Sequence, residues 1–385
     1  MTGLRYKKIY FLLSLSLVLL VPVSPQVKAE ANPTNESQTD FQNFDVINQA
    51  KTSQSNIQDF INQARQVSLE YAPSKSSKLN KLVSDPQVFN YTYVDGDVGY
   101  FYELSSLDDQ EFVATYPAGD VNTKQDVASP EDIISNQNVF NSKTAVFNAA
   151  AAVDPIGDGV GGKATVSKNG SVETFVIHTP ATTTGPTART YIYSGFSGTG
   201  VGKTSTTLRT IETDMGLVFS NAYGVNKWQP TINYYWGNAV DGHDSPGDRI
   251  SPYNEVWYMN GYIPNNDINV TIYRNLNNNT RLSTAGYAYY QKHDGTGGNS
   301  YLTAVTEIAN TKVSSTTSWK YLATIADTVI KKDGVNIPQG DAAGSVVVTF
   351  KNIILDNVAV APVLAIQDFA SVGISGNNVT ISVSK

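Results

Sequence analysis

Cysteine is absent from the 385-residue chain, and histidine and methionine number three each. The first absence excludes disulfides, thiolate metal sites and cysteine nucleophiles. Stability must then come from a large core, which this length allows. His178, His243 and His293 occur without a G-x-S-x-G elbow or an H-E-x-x-H pair, so the familiar serine-hydrolase and zincin patterns are missing. His243 and His293 fall in the loop strings DGHD and KHDG, where solvated turn residues are expected. Beyond the N-terminus no run approaches the roughly 20 apolar residues that a spanning helix needs.

Nucleotide signals are incomplete as well. GVGKTS (200–205) ends like a phosphate-binding loop, but the motif needs a glycine where Ser197 stands. The following TSTTLRTIETD is Thr-rich and reads as a strand, whereas a phosphate loop requires a helix whose N-terminus faces the anion. GDGVGG (157–162) spells G-x-G-x-x-G, yet it leads into another strand pattern, KATVSKNG. Neither stretch is expected to bind a nucleotide.

The N-terminus points to export. Arg5, Lys7 and Lys8 precede an apolar run from Ile9 to Val21, and Val27-Lys28-Ala29 supplies small residues for cleavage after Ala29. Residues 1–29 are therefore expected to be a signal peptide. The product would be released or held non-covalently at the cell surface, since VTISVSK at the C-terminus shows no anchor. Export without cysteine suggests a Gram-positive source. Of 27 basic residues, Arg5, Lys7, Lys8 and Lys28 leave with the leader, so 23 face 34 acidic ones. That acidic balance argues against nucleic acid as a partner and is compatible with neutral glycans or calcium.

Residues 30–42 read as a flexible polar tail. Ile57, Phe60, Ile61, Ala64, Val67 and Tyr71 recur at helical spacing and stop before Pro73, which predicts a helix over 55–71; Phe44 and Ile47 suggest its backward extension. Residues 88–116 alternate around D-G and Asp-Asp turns, giving two or three strands. Segment 43–120 is thus a small α+β unit, and 121–155, poor in hydrophobic residues, a linker. From 156 to 385 the pattern is all β. TVSKNGSVETFVI predicts a hairpin around Asn169-Gly170. Ile268, Val270 and Ile272 share one face, as do Val346, Val348 and Phe350, and SVGISGNNVTISVS is a closing hairpin. About a dozen such strands predict a large antiparallel β-sandwich, jelly-roll and concanavalin-like.

Four strings in order, YIYSGFSG (191–198), VTIYRNLNNNTR (270–281), SWKYLATIADT (318–328) and IQDFASVGISGNNVTISVSK (366–385), closely resemble the YrpD proteins, small secreted proteins of Bacillus-type bacteria. The likeness runs from about residue 156 to the C-terminus and does not reach 30–150. It implies that the glycines at 195, 198, 200 and 202 form a loop after a strand without a nucleotide role. It supplies no catalytic residue.

Three constellations remain. KWQPTINYYWGN sets Tyr234 and Trp236 on one face and Tyr235 on the other; with Trp257 and Tyr258, and with Tyr262, Tyr287, Tyr289 and Tyr290 nearby in sequence, these could form a sugar-stacking platform. Core packing explains Trp228, Trp257 and Trp319 equally well. Asp241, Asp244 and Asp248 in VDGHDSPGDR could offer oxygen ligands to calcium, without EF-hand spacing, or could simply form turns. Glu212 and Asp214, two apart, share a strand face as glycosidic carboxylates would. Where jelly-roll glucanases carry the last Glu of E-x-D-x-x-E, this chain has Leu217.

The leading expectation is a secreted, non-catalytic protein that binds neutral carbohydrate or envelope material through an aromatic face. The alternatives are a polysaccharide-acting enzyme using Glu212 and Asp214, and a structural extracellular protein with no small ligand.

Overall fold

The computed structural model describes residues 44–71, 87–105, 110–118, 159–184, 188–201, 208–221, 225–236, 249–250, 260–291, 297–327, 329–332, 335–338 and 343–385. All of them fall in the unit spanning Asn43–Lys385. The expected signal peptide, tail and linker lie outside them.

The chain begins with β1 (Phe44–Asn48), α1 (Gln54–Tyr71), β2 (Gln87–Asp95), β3 (Val98–Ser105) and β4 (Gln110–Pro117). Next come β5 (Gly159–Val166), β6 (Val172–His178), β7 (Thr183–Thr184), β8 (Ala188–Val201) and β9 (Leu208–Ser220). They are followed by β10 (Lys227–Trp236), β11 (Arg249–Ile250), β12 (Gly261–Tyr262), β13 (Asp267–Leu276), β14 (Asn279–Gln291) and β15 (Gly297–Ile308). The last third holds β16 (Ser315–Asp327), β17 (Val329–Lys332), β18 (Val335–Pro338), β19 (Gly344–Leu355) and β20 (Val358–Ala359). β21 (Val363–Asp368), β22 (Ala370–Ser375) and β23 (Asn378–Ser384) close it.

A continuous ladder runs β1–β4–β3–β2–β15–β14, parallel at β1–β4 and β2–β15 and antiparallel elsewhere. At β14 the sheet forks. β13 pairs with the first part of β14 and leads through β6, β19 and β23 to β22. β12 pairs with the later part, at Tyr289 and Ala288, and leads through β10, β9, β8, β16 and β5 to β21.

The branches meet through their apolar faces: the Tyr321 ring of β16 lies 6.2 Å from Phe175 of β6 and 5.7 Å from Phe350 of β19. At the far ends, a Cβ on Gly162 of β5 would come within 2.6 Å of Ile381 and 2.8 Å of Val372, so the missing side chain lets the branches close on each other. The fold is mainly antiparallel β, as expected. Apart from the β17–β18 pair, the strands form one forked sheet nearly closed into a barrel, and the predicted jelly-roll sandwich is not confirmed, because β12 and β13 share an edge of β14 and keep the ladder unbroken.

The helix matches its expected span and buries Ile57, Phe60, Ile61, Ala64 and Val67 against Phe89, Tyr91, Tyr100 and Tyr102. Each of these side chains except Ala64 contributes roughly 1.5–3 kcal/mol when fully buried. Ser53 caps the helix, with its Oγ accepting from Asn56 N at 3.2 Å. The cap stops the helix from extending backward: Phe44 and Ile47, expected to prolong it, lie in β1 beside β4. The opposite face of β2–β4, with Val88, Phe101 and Ala114, joins the main core. The N-terminal α+β segment is therefore built onto the large sheet through β2–β15.

Two further expectations change. Asn169-Gly170 does not form a hairpin, since β5 pairs with β16 and β21 while β6 pairs with β13 and β19. Asn169 Oδ1 instead accepts from Thr316 N at 2.9 Å and Arg274 Nη1 at 3.1 Å, anchoring a crossing between branches. Gly195, Gly198 and Gly200 lie within β8 and not in a loop after it. A Cβ on Gly198 would stand 2.2 Å from Ser315 O, a contact no larger residue tolerates. The alternating faces of β13 and β19 and the closing β22–β23 hairpin are as expected.

Candidate functional site

Two surfaces carry chemistry. The first is the polar face of β8, β9 and β16. Glu212 and Asp214 share this side of β9, as their spacing predicts, while Ile211, Thr213 and Met215 point into the core. Lys320, on β16, is separated from them by β8. Its partner across the β16–β8 ladder is Gly195, so no β8 side chain stands in its path. Lys320 Nζ reaches over the glycine and donates to Glu212 Oε1 and Asp214 Oδ1, each at 2.6 Å. The Lys320 side chain is only 8% exposed, against 18% for Asp214 and 36% for Glu212.

The lysine charge is the largest influence on Glu212 and outweighs burial, holding its carboxyl below the usual range; Lys163 on β5 acts in the same direction. Burial alone would favour neutral Lys320, but the two carboxylates more than offset it and keep the ammonium above its ordinary value. A glycosidic acid needs a carboxyl whose proton is retained near neutral pH. Glu212 is shifted the other way, so the cluster is an ion-paired bridge from Lys320 to both side chains. Gly195 has φ +145°, and a Cβ there would lie 2.1 Å from Thr213 O. Gly195→Ala is expected to destabilise the protein by more than about 1 kcal/mol, read as a lower urea midpoint at unchanged slope.

The second surface lies on β14 and β15, on the side away from the main core. Tyr287, 41% exposed, faces Tyr301 directly across the ladder, with ring centres 6.2 Å apart at 85°. Tyr289, two residues on along the same face and half-buried, pairs with exposed Asn299. Edge-to-face packing holds the tyrosine pair while part of each ring meets solvent.

The other expected residues fare differently. Tyr234 is fully buried in the core with Trp228 and Ile232, because the face of β10 assigned to sugar stacking is the inward one. The side chain of Trp236, together with Trp257, Tyr258, Asp241, Asp244 and Asp248, lies outside the described residues. Trp228 and Trp319 are core residues. His178 Nδ1 lies 2.6 Å from Asp267, an exposed surface pair worth little to stability. Among the described residues no group of three or more His, Asp or Glu could hold a metal, and no helix is long and apolar enough to cross a membrane.

Sequence reasoning missed Glu173. It shares the inward face of β6 with Phe175 and Ile177, so strict alternation could have marked it. It receives a hydrogen bond of 2.5 Å from Tyr321 OH and one of 2.7 Å from Ser194 Oγ. Burial outweighs both and pushes its carboxyl up to about 8.

The model of the family described as "Domain of unknown function, YrpD" matches residues 153–383, which covers β5 to β23. The chain belongs to the YrpD family. A relative from Bacillus subtilis (strain 168), "Uncharacterized protein YrpD", is 34% identical over 236 residues, 61% of this chain and 86% of its own length. The match begins after the α1 and β1–β4 segment. Among solved structures, scytalido-glutamic peptidase bound to a peptide-based transition-state analogue overlaps 59% of this chain and 99% of its own, at 14% identity and TM-score 0.32. SCP-B of the Eqolisin family gives 13% identity and TM-score 0.31. Overlaps this loose assign neither fold nor activity to the YrpD chain.

Proposed function

We propose that this YrpD protein is exported and binds neutral carbohydrate or cell-envelope material, without turning it over, through the tyrosine face of β14 and β15. The Tyr287–Tyr301 pair, with Tyr287 exposed, Tyr301 half-buried and Tyr289 beside them, carries this reading. Tyrosine rings offer an apolar face to a pyranose while their hydroxyls remain hydrated. The Lys320 bridge to Glu212 and Asp214 favours binding over hydrolysis, because the lysine charge holds Glu212 below the usual carboxyl range and denies it the retained proton of a glycosidic acid. The acidic balance of residues 30–385 suits a neutral polymer better than an anionic one.

The test is retention of residues 30–385 on bacterial cell wall and on a panel of insoluble polysaccharides. Retention on at least one, weakened about tenfold or more by Tyr287→Ala or Tyr301→Ala, is the expected result. Release by a chelator would add calcium held by Asp241, Asp244 and Asp248. Release of reducing sugar, lost in Glu212→Gln, would establish the enzymatic alternative, and retention on nothing would favour a structural role.

A further inference from the structure

Lys320 Nζ stands 2.6 Å from a carboxylate oxygen of Asp214 and 2.6 Å from one of Glu212, on a face where Leu322, two residues along β16, is also buried. We propose that Lys320 and Asp214 are joined in the folded protein by an intramolecular amide bond, with Glu212 carrying the proton.

The chemistry is complete within the three side chains. An ammonium and a carboxylate together contain the atoms of an amide and one water. Glu212 takes a proton from the Lys320 ammonium and passes it to the Asp214 carboxylate, and the freed nitrogen lone pair attacks the neutral carboxyl at Asp214 Cγ to form the N–C bond. One Asp214 C–O bond then breaks, and its oxygen leaves as water with the proton passed by Glu212 and one from the nitrogen. No oxidant, reductant or further reactant is needed.

Each position fits its part. Asp214 is the more buried acid, which shields the acyl carbon from water. Glu212 is the more exposed, giving the departing water a route out. Fixed proximity supplies the large effective concentration that an otherwise slow condensation requires. Gly195 is what permits the approach, since a side chain there would stand between β16 and β9. In a chain with no cysteine, the bond would join β9 to β16 across the intervening β8, closing a long loop as a disulfide does.

The test is the intact mass of the folded full-length chain, with its N-terminus mapped, followed by sequencing of protease fragments. The expected result is a mass one water below that of the sequence and a branched fragment linking Lys320 to Asp214. Lys320→Arg keeps the cation but not the nucleophile and should restore the full mass, as should Glu212→Gln. Asp214→Asn should give the same linkage with loss of ammonia in place of water. A full mass in the folded wild type, a water loss that survives Lys320→Arg, or a branch at Glu212 would each overturn the assignment. Because Lys320→Arg preserves the charge pairing, circular dichroism of that variant separates loss of the bond from loss of the fold.

Discussion

Glu173→Gln is expected to make the protein more stable at pH 8 and above by on the order of 4 kcal/mol, and to leave it nearly unchanged below pH 4.5. The carboxyl is fully buried between the branches, and burial raises its folded value from 4.5 to about 8. A folded state that holds its proton more tightly than the unfolded chain is favoured while the proton is present in both. Its advantage shrinks as pH rises from 4.5, where the unfolded group ionises, and is lost by about 8, where the folded group must ionise too. Glutamine keeps the neutral hydrogen-bonding pattern, accepting from Tyr321 and donating to Ser194, but cannot ionise. The difference between wild-type and variant urea midpoints, followed from pH 4 to 9, should therefore widen across that interval and flatten at both ends. A difference independent of pH would show that Glu173 does not titrate there. Tyr321 does not confuse the measurement: burial first, and then the Glu173 charge, hold its hydroxyl well above the usual phenol range.

The features that were legible in the sequence are those with a local period. The helix could be read from Ile57 to Val67, and the inward faces of β13 and β19 from alternate residues, because each period fixes which side chains share a face. Pairing is not local. Asn169-Gly170 has the composition of a tight hairpin, yet β16 claims β5 and β13 claims β6, so the dipeptide becomes a crossing anchored by Thr316 and Arg274. The carboxylates Glu212 and Asp214 were visible as a pair, but Lys320 comes from a strand beyond β8, at a register that only the folded sheet supplies.

Tyrosine misled for a related reason. The aromatic strings suggested a sugar-stacking platform, but Tyr91, Tyr102, Tyr262 and Tyr321 are buried with their hydroxyls bonded to Glu307, Glu111, Thr284 and Glu173. Three of the four partners are carboxylates. A buried phenol with such a partner satisfies its hydroxyl without water, so the residue type alone does not separate core from surface. Only the pleat does so: on β14, Tyr290 turns inward while Tyr287 and Tyr289 turn the other way.

Arg281→Ala is expected to cost about 3–5 kcal/mol, far more than loss of a surface ion pair. Arg281 and Glu307 are paired on neighbouring strands, with side chains 5% and 3% exposed, and Arg281 Nε donates to Glu307 Oε2 at 2.8 Å. Tyr91 OH, Asn279 Nδ2 and the guanidinium together satisfy the carboxylate, and Gln63 of α1 in turn donates to Tyr91. Removing the guanidinium leaves a charge in the protein interior with only neutral donors. The other arm of Arg281 reaches Glu70 of α1 at 2.7 Å, but Glu70 is 54% exposed, so Glu70→Ala should cost at most about 1 kcal/mol. The two substitutions separate the parts played by one arginine: compensating a buried charge and tying down the end of the helix. Adding Glu307→Gln to Arg281→Ala should recover much of the loss, because the stranded charge is then gone. If Arg281→Ala cost no more than Glu70→Ala in urea unfolding, Glu307 would not depend on it. The expected order, with the double variant between the two singles, would show that most of what Arg281 contributes is compensation of Glu307 and only a little is its tie to Glu70.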